Sequence, residues 1–331
     1  MLDQEFTAFR IHSDEQGYRS GLESMKIDAL SPGEVIIRNE YSSVNFKDAL
    51  AGTGKGKILR KFPLNGGIDV AGYVVASSDP AFKEGDAVLC TGSGLSETHD
   101  GGYAQYSRLD AKWNIPLPAG LSLRESMILG TAGFTAALAL YRMRENRQSP
   151  SLGPLCVTGA TGGVGSLACA IFSKAGFDVH AVSGKTDQHE YLRSLGASEI
   201  LDRAALSTTR PMESARFGGG LDNVGGPMLA SLIAQTAPYG NVASAGLAAT
   251  ADLPMTVMPF IIRGVSLLGV ASAGTARDIR EDVWALLADE WKPTQLDAIA
   301  TDEVTLEGLP AVFDKMLSGG SLGRTVVKIN H

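Results

Sequence analysis

Two stretches of this 331-residue chain carry residue types that could do chemistry. The first is Tyr41-Ser-Ser-Val-Asn45-Phe46-Lys47-Asp48, where an amide, a cation and a carboxylate follow an apolar-flanked strand. Asn45 and Lys47 could donate hydrogen bonds to a carbonyl oxygen or stabilise an enolate. Phe46 could pack on a flat heteroaromatic ring. Asp48 has two readings: with Asn45 it caps a helix starting at Lys47, or it takes part in the reaction, and both can hold.

The second stretch is Leu155-Cys-Val-Thr-Gly-Ala-Thr-Gly-Gly-Val-Gly-Ser166. An apolar strand, a glycine turn and an Ala-rich helical pattern follow one another, the order that sets a pyrophosphate on a helix N-terminus. Bare backbone at Gly162, Gly163 and Gly165 would let the main chain approach phosphates closely. A nicotinamide dinucleotide is the cofactor this predicts; an ordinary glycine-rich turn is the alternative. The next strand, His180-Ala-Val-Ser183-Gly184-Lys185, lacks the terminal acid that usually binds the ribose 2′-hydroxyl of NAD. A hydroxyl, bare backbone and Lys185 would instead accept a 2′-phosphate, which favours NADPH. Arg203, just past the third strand, is a candidate second cation for that phosphate.

Between these stretches lies Gly52-Thr-Gly-Lys55-Gly-Lys57-Ile-Leu-Arg60-Lys61, in a segment without an acid from Ala49 to Ile68. Lys55, Lys57, Arg60 and Lys61 are either a solvated face or a surface for a phosphorylated handle such as coenzyme A. On a chain of net charge −7 a local positive funnel would steer such an anion. The same net charge argues against nucleic acid or an anionic membrane surface as partner. No metal is expected. His12, His99, His180, His189 and His331 lie away from any Cys at ligand spacing, and Cys90, Cys156 and Cys169 form no CxxC pair. His99 is expected to stabilise its loop.

The elements that must hold these residues divide the chain. With 331 residues, two domains are expected. Residues 1–124 read as short strands punctuated by Gly and Pro, a barrel-like β domain. Ser122-Leu-Arg-Glu125 fits a capping box before a long helix over residues 125–144. Strands at 155–158, 179–182, 199–201, 220–224, 240–244 and 265–270 alternate with helices, which predicts a doubly wound parallel sheet. A small helix near 308–317 and a strand at 324–329 could return to the first domain. The expected division is therefore 1–124 with 296–331, and 125–295. The acidic N-terminus has no signal-peptide pattern and no apolar run is long enough to span a membrane, so the cytoplasm is the expected compartment.

Several motifs together resemble the acrylyl-CoA reductase family, in the zinc-independent quinone-oxidoreductase branch of the medium-chain dehydrogenase/reductase superfamily. They are Ser43-Val-Asn-Phe-Lys-Asp-Ala-Leu50, Thr53-Gly-Lys-Gly-Lys57, Pro63-Leu-Asn-Gly-Gly-Ile-Asp69 and Leu129-Gly-Thr-Ala-Gly-Phe-Thr-Ala136. The glycine turn, Ala181-Val-Ser-Gly-Lys185, His189-Glu-Tyr-Leu-Arg-Ser-Leu-Gly-Ala197, Leu253-Pro-Met-Thr-Val-Met-Pro-Phe-Ile261 and Gly323-Arg-Thr-Val-Val-Lys-Ile329 complete the set. The resemblance implies an α/β chain: a GroES-like β-barrel catalytic domain and a Rossmann doubly wound domain, with the cofactor between them. It implies NADPH contacts at Phe46, Thr161, Gly162, Gly163, Val164, Ser183, Gly184, Lys185, Arg203, Leu247, Ile261 and Ser272. Zinc-dependent cousins carry His–Glu where this chain has Ile68-Asp69, and Cys where it has Thr131. Relatives commonly show Tyr at the position of Phe46, so a phenol proton donor is absent there. The implied activity is NADPH-dependent reduction of an α,β-unsaturated acyl-CoA, with Asn45, Lys47 and Asp48 as catalytic candidates. The alternatives are a quinone or enone reductase and a non-catalytic NADPH-binding protein. The family also implies a homodimer paired through the edge strand near Val265 to Val270.

Overall fold

A computed structural model describes residues 5–331, which fall into two compact units. The first unit comprises residues 1–131, 273–281 and 296–331; the second comprises 132–272 and 282–295. The division falls at Thr131, inside the long helix, rather than at 124, and residues 273–281 go with the first unit.

The first unit is built on a seven-stranded mixed sheet. Its order is Asp302–Val304, Thr325–Lys328, Val35–Val44, Asp69–Ser77, Ala87–Thr91 and Ile115–Pro116, with Tyr106–Leu109 also paired to Val35–Val44. The C-terminal strand runs antiparallel to the end of Val35–Val44, with Thr325 opposite Val44. That pairing brings Arg324 to the point where the chain leaves the sheet through Asn45 into the helix Phe46–Thr53. A smaller sheet pairs Phe6–Asp14 with Gly17–Met25 and Leu64–Asn65. Phe9, Ile11, Val44, Leu64, Tyr103, Phe313 and Val327 share one core cluster, so both sheets close over the helix Leu309–Leu317.

The second unit holds six parallel strands in the order Glu199–Leu201, Val179–Val182, Leu155–Val157, Phe217–Asp222, Thr236–Ser244 and Ser266–Gly269. Numbered along the chain this is the 3-2-1-4-5-6 order of a dinucleotide-binding sheet. Leu155, Cys156 and Val157 are all buried, as the central strand of a sheet covered on both faces requires. Gly163–Lys174 follows the first strand and buries Leu167 to Phe172. Phe134 stacks on Trp284 in the core, with ring centroids 6.0 Å apart.

The expected continuous helix over 125–144 is Leu123–Glu145 broken at Gly130, where φ is 49° and ψ is −155°. Its start follows the capping box: Ser122 N donates to Glu125 Oε2 at 2.8 Å and Glu125 N donates to Ser122 Oγ at 3.1 Å. No helix among the described residues is long and apolar enough to cross a membrane.

Candidate active site

In the first unit, Asn45 is the N-cap of the helix Phe46–Thr53, which begins one position before the expected Lys47. Asp48 reaches back, its Oδ2 accepting from Asn45 N at 2.8 Å, while its Oδ1 accepts from Ile68 N at 3.0 Å. The helix start is thereby tied to the strand Asp69–Ser77.

Beneath Asn45 lies a buried polar network. Asn45 Nδ2 donates to Asp69 Oδ2 at 2.8 Å and to Asp48 Oδ2 at 3.2 Å, and Asn45 Oδ1 accepts from Arg324 Nη1 at 3.1 Å. Every polar atom of that amide is therefore committed. Its expected role as a hydrogen-bond donor to a reacting oxygen does not match this geometry, because both N–H groups already face carboxylates.

Asp69 also accepts from Ser43 Oγ at 2.5 Å, Thr131 Oγ1 at 2.6 Å and Thr131 N at 3.1 Å. Arg324 donates to Val44 O at 2.8 Å, Ile128 O at 3.0 Å and Ser43 Oγ at 2.6 Å. Gly130 makes this convergence possible, since a Cβ there would lie 2.7 Å from Asp69 Oδ2 and 2.8 Å from Arg324 Nη2.

The electrostatics follow from burial. Desolvation, and after it the Asp69 charge, push the Asp48 carboxyl up to about 7, while the hydrogen bonds from Asn45 and Ile68 pull it down. Desolvation lowers the pKa of Arg324, and Asp69 and Asp48 oppose that. The Tyr103 phenol, which donates to Ser43 O at 3.1 Å, is driven well above its ordinary value by burial.

This set does not suit a metal. The lone pairs of Asp69 are taken by hydroxyl and N–H donors, and the cation it faces is a guanidinium. Zinc needs imidazole, thiolate or free carboxylate ligands. All three thiols are buried, and burial raises them, Cys90 and Cys169 to about 12. Among the described residues no group of His, Cys, Asp and Glu is arranged to hold an ion. His99 stabilises its loop: its ring bonds Pro32 O at 2.9 Å and Asp100 O at 3.1 Å, edge-on to Trp113.

Lys47 points from the first turn of the helix and pairs with Glu97. Phe46 is 53% exposed, which leaves its ring open to a planar partner. Lys55, Lys57, Arg60 and Lys61 are all exposed, and none forms an ion pair among the described residues.

In the second unit the glycine turn lies where the strand order reverses. Gly159 has φ +60°, and a Cβ on Gly165 would lie 2.3 Å from Gly159 O, so the helix start packs on bare backbone. Thr158 Oγ1 donates to Asp222 Oδ1 at 2.7 Å, and Asn223 Nδ2 donates to Thr158 O at 2.8 Å. These bonds latch the two strands that flank the switch point. Thr161 is buried within the turn, beside Gly162, Gly163 and Val164.

At the next strand end, Ser183 Oγ accepts from Lys185 N at 3.1 Å. Arg203 crosses the same place: a Cβ on Gly184 would lie 3.0 Å from Arg203 Nε. The structure thus brings Arg203 beside Gly184, next to Ser183, whose hydroxyl accepts from the backbone of Lys185. This hydroxyl, bare backbone and two cations fit a ribose 2′-phosphate.

The Leu247 segment packs over the switch point, with Ala248 N donating to Asn223 O at 3.3 Å. Leu247 and Ile261 are exposed, the latter on the helix Met258–Arg263, and Ser272 opens the turn Ser272–Gly274.

Sequence reasoning missed Arg324, Ser43, Tyr103, Glu97 and Asp222 as working parts of the site. Their partners are distant in the chain, Arg324 lying 279 positions from Asn45, so no local spacing could point to them.

A family model for zinc-binding dehydrogenases matches residues 163–289, and one for the alcohol dehydrogenase GroES-like domain matches residues 31–119. Acrylyl-CoA reductase AcuI of Ruegeria pomeroyi is 41% identical over 329 residues, 98% of this chain and 99% of that protein. YhfP of Bacillus subtilis, which carries a quinone-oxidoreductase name, is 41% identical over 326 residues, 98% of this chain and 99% of that protein. Its crystal structure, with NAD bound, matches with a TM-score of 0.95 over 98% of this chain and 100% of that one. The yhdH oxidoreductase of Salmonella enterica, in complex with NADP, matches with a TM-score of 0.95 at 44% identity, over 98% of this chain and 100% of that one.

Proposed function

Because this chain belongs to the acrylyl-CoA reductase family of the medium-chain dehydrogenase/reductase superfamily, we propose that it reduces the carbon–carbon double bond of a short α,β-unsaturated acyl-CoA with NADPH. Acryloyl-CoA to propionyl-CoA is the simplest case. The observation that carries this reading is the full-length identity to an acrylyl-CoA reductase. The Ser183-Gly184-Lys185 turn with Arg203 beside it, and no acid at its end, supports NADPH over NADH, and the NADP-bound relative agrees with it.

NADPH, when bound, supplies a hydride for the β-carbon of the acyl group. The turn Thr161 to Val164 would carry its pyrophosphate, Ser183 to Lys185 with Arg203 its 2′-phosphate, and Leu247, Ile261 and Ser272 its nicotinamide half. Phe46 would pack against the reactive ring.

As the β-carbon is reduced, negative charge develops on the thioester oxygen. Lys47 keeps N–H donors beyond the one aimed at Glu97, and while Asp48 N and Ala49 N donate to Asn45 O, the N–H groups of Phe46 and Lys47 come too early in the helix for an intrahelical carbonyl. Both put positive charge at one helix end, where an enolate would be stabilised. Asn45 and Asp48 serve as positioning residues that brace this end against Asp69 and Arg324. The α-carbon then takes a proton, so that NADPH, the enoyl thioester and one proton give NADP⁺ and the saturated thioester.

Lys55, Lys57, Arg60 and Lys61 would receive the phosphates of the coenzyme A handle. The strand Ser266–Gly269 closes the parallel sheet and leaves an edge free, which supports a homodimer through that edge. The cytoplasm is the compartment that suits an NADPH-dependent enzyme with three reduced, buried thiols.

A second reading, reduction of quinones or enones, is favoured by the name of YhfP. Turnover of acryloyl-CoA and of 1,4-benzoquinone by the purified protein with NADPH separates the two. Formation of propionyl-CoA supports the first; oxidation of NADPH with the quinone alone sinks it.

A further inference from the structure

We propose that Tyr18 and Phe62 form an aromatic platform that stacks the adenine of the coenzyme A handle, beside the cations of residues 55–61. The inference rests on the acyl-CoA reading above and adds to it a base-binding subsite.

Tyr18 sits near the tip of the hairpin formed by Phe6–Asp14 and Gly17–Met25, opposite Ser13. Its hydroxyl donates to Ala51 O, and Ser20 Oγ donates to Gly52 O at 2.7 Å. Two carbonyls of the last helical turn thus accept from the hairpin, Ala51 O in addition to its bond from Gly54 N. The helix ends at Gly54, in the left-handed conformation at φ 71°. A Cβ on Gly54 would lie 2.7 Å from Tyr18 Cδ1, so the helix end packs closely against the ring.

At the other end of the basic segment, Phe62 meets the same ring edge-on, with centroids 5.8 Å apart and planes at 83°. Tyr18 therefore pins both ends of the segment that carries Lys55, Lys57, Arg60 and Lys61. A third tether lies in between: Arg60 N donates to Glu97 O at 2.7 Å, and Glu97 is the partner of Lys47. The segment therefore reaches Glu97, the partner of Lys47, between its two contacts with Tyr18 at Gly54 and Phe62. Eight helical residues span about 12 Å, within reach of a phosphopantetheine arm.

Tyr18 and Phe62 stay 39% and 38% exposed although they touch each other. An apolar pair left open beside cations that form no ion pair among the described residues fits a ligand with a π-face and several phosphates. The 3′-phosphorylated adenine nucleotide at the end of coenzyme A has that chemistry, and base stacking on such rings is energetically significant.

The test uses the full-length protein at saturating NADPH. Phe62→Ala is expected to raise KM for acryloyl-CoA by about tenfold and to leave kcat within about twofold. Turnover of acryloyl-pantetheine, which lacks the nucleotide, stays unchanged. Adenosine 3′,5′-bisphosphate should compete with acryloyl-CoA, and less well in Phe62→Ala. Equal losses on both thioesters, or an unchanged KM in Phe62→Ala, would overturn the platform while leaving the acyl-CoA reading standing. A wild-type protein that turns over neither thioester would overturn the reading itself. Titration of coenzyme A into the NADP-loaded protein tells the cases apart without turnover.

Discussion

Arg324 and Asp69 stand 3.9 Å apart with side chains 3% and 0% exposed, and the same two residues hold Asn45 from opposite sides of its amide. One stands just before the C-terminal strand Thr325–Lys328 and the other begins the strand Asp69–Ser77 in the middle of the sheet. The pair therefore locks the C-terminal segment to the start of the helix Phe46–Thr53. Removing one partner leaves a buried charge without compensation. Arg324→Met is expected to cost about 3–5 kcal/mol of stability, read from urea unfolding. In a cycle with Asp69→Asn, the double variant should lose clearly less than the two singles together. Additive losses would show that the two do not act as a unit.

Gly130→Ala tests the break in the long helix. The new Cβ would meet Asp69 Oδ2 and Ser43 Oγ, both at 2.7 Å, in a backbone at φ 49°. A loss of more than about 2 kcal/mol is expected, although Ala is the better helix former at ordinary dihedrals. A gain in thermal midpoint would mean that the helix runs unbroken in solution.

Asp48 sets a pH dependence. Its carboxyl rises from 3.8 to about 7 in the folded chain, chiefly through burial. Across that window the folded state binds more protons than the unfolded state, so the contribution to stability is greatest at the acidic end. It falls as the pH rises towards 7. Relative to Asp48→Asn, the wild type should lose a few kcal/mol between about pH 4 and pH 7. Parallel stability curves for the two proteins would contradict the raised value.

The nucleotide preference should respond to charge around Gly184. Lys185→Glu is expected to raise KM for NADPH at least about tenfold, with a smaller effect on NADH, because a carboxylate there repels the 2′-phosphate. Arg203→Ala should act in the same direction. If both variants treat the two nucleotides alike, the 2′-phosphate sits elsewhere.

Much of the second unit was legible in the sequence. Strands 179–182 and 199–201 and the glycine turn lie where the alternation of apolar runs and helical patterns put them, because each parallel strand is a short buried run of its own. The hairpin Phe6–Met25 was not foreseen: Gly17–Met25 is polar and exposed along most of its length and shows no apolar alternation. The break at Gly130 was hidden inside an Ala/Leu-rich run of good helix formers, and only the charges converging on it explain it. The cations around Gly184 could be listed from residue types alone, Arg203 among them. The commitment of the Asn45 amide could not, since it depends on Arg324, which reaches it only through strand pairing at the far end of the chain.

The central claim is conjugate reduction of an enoyl thioester, and isotope transfer tests it most directly. Acryloyl-CoA is turned over with NADPH carrying deuterium at the transferring position of the nicotinamide, and the thioester product is analysed by NMR and mass spectrometry. The account predicts propionyl-CoA with deuterium at the β-carbon and a solvent proton at the α-carbon. Consumption of the nucleotide with no deuterium in the acyl chain would contradict it.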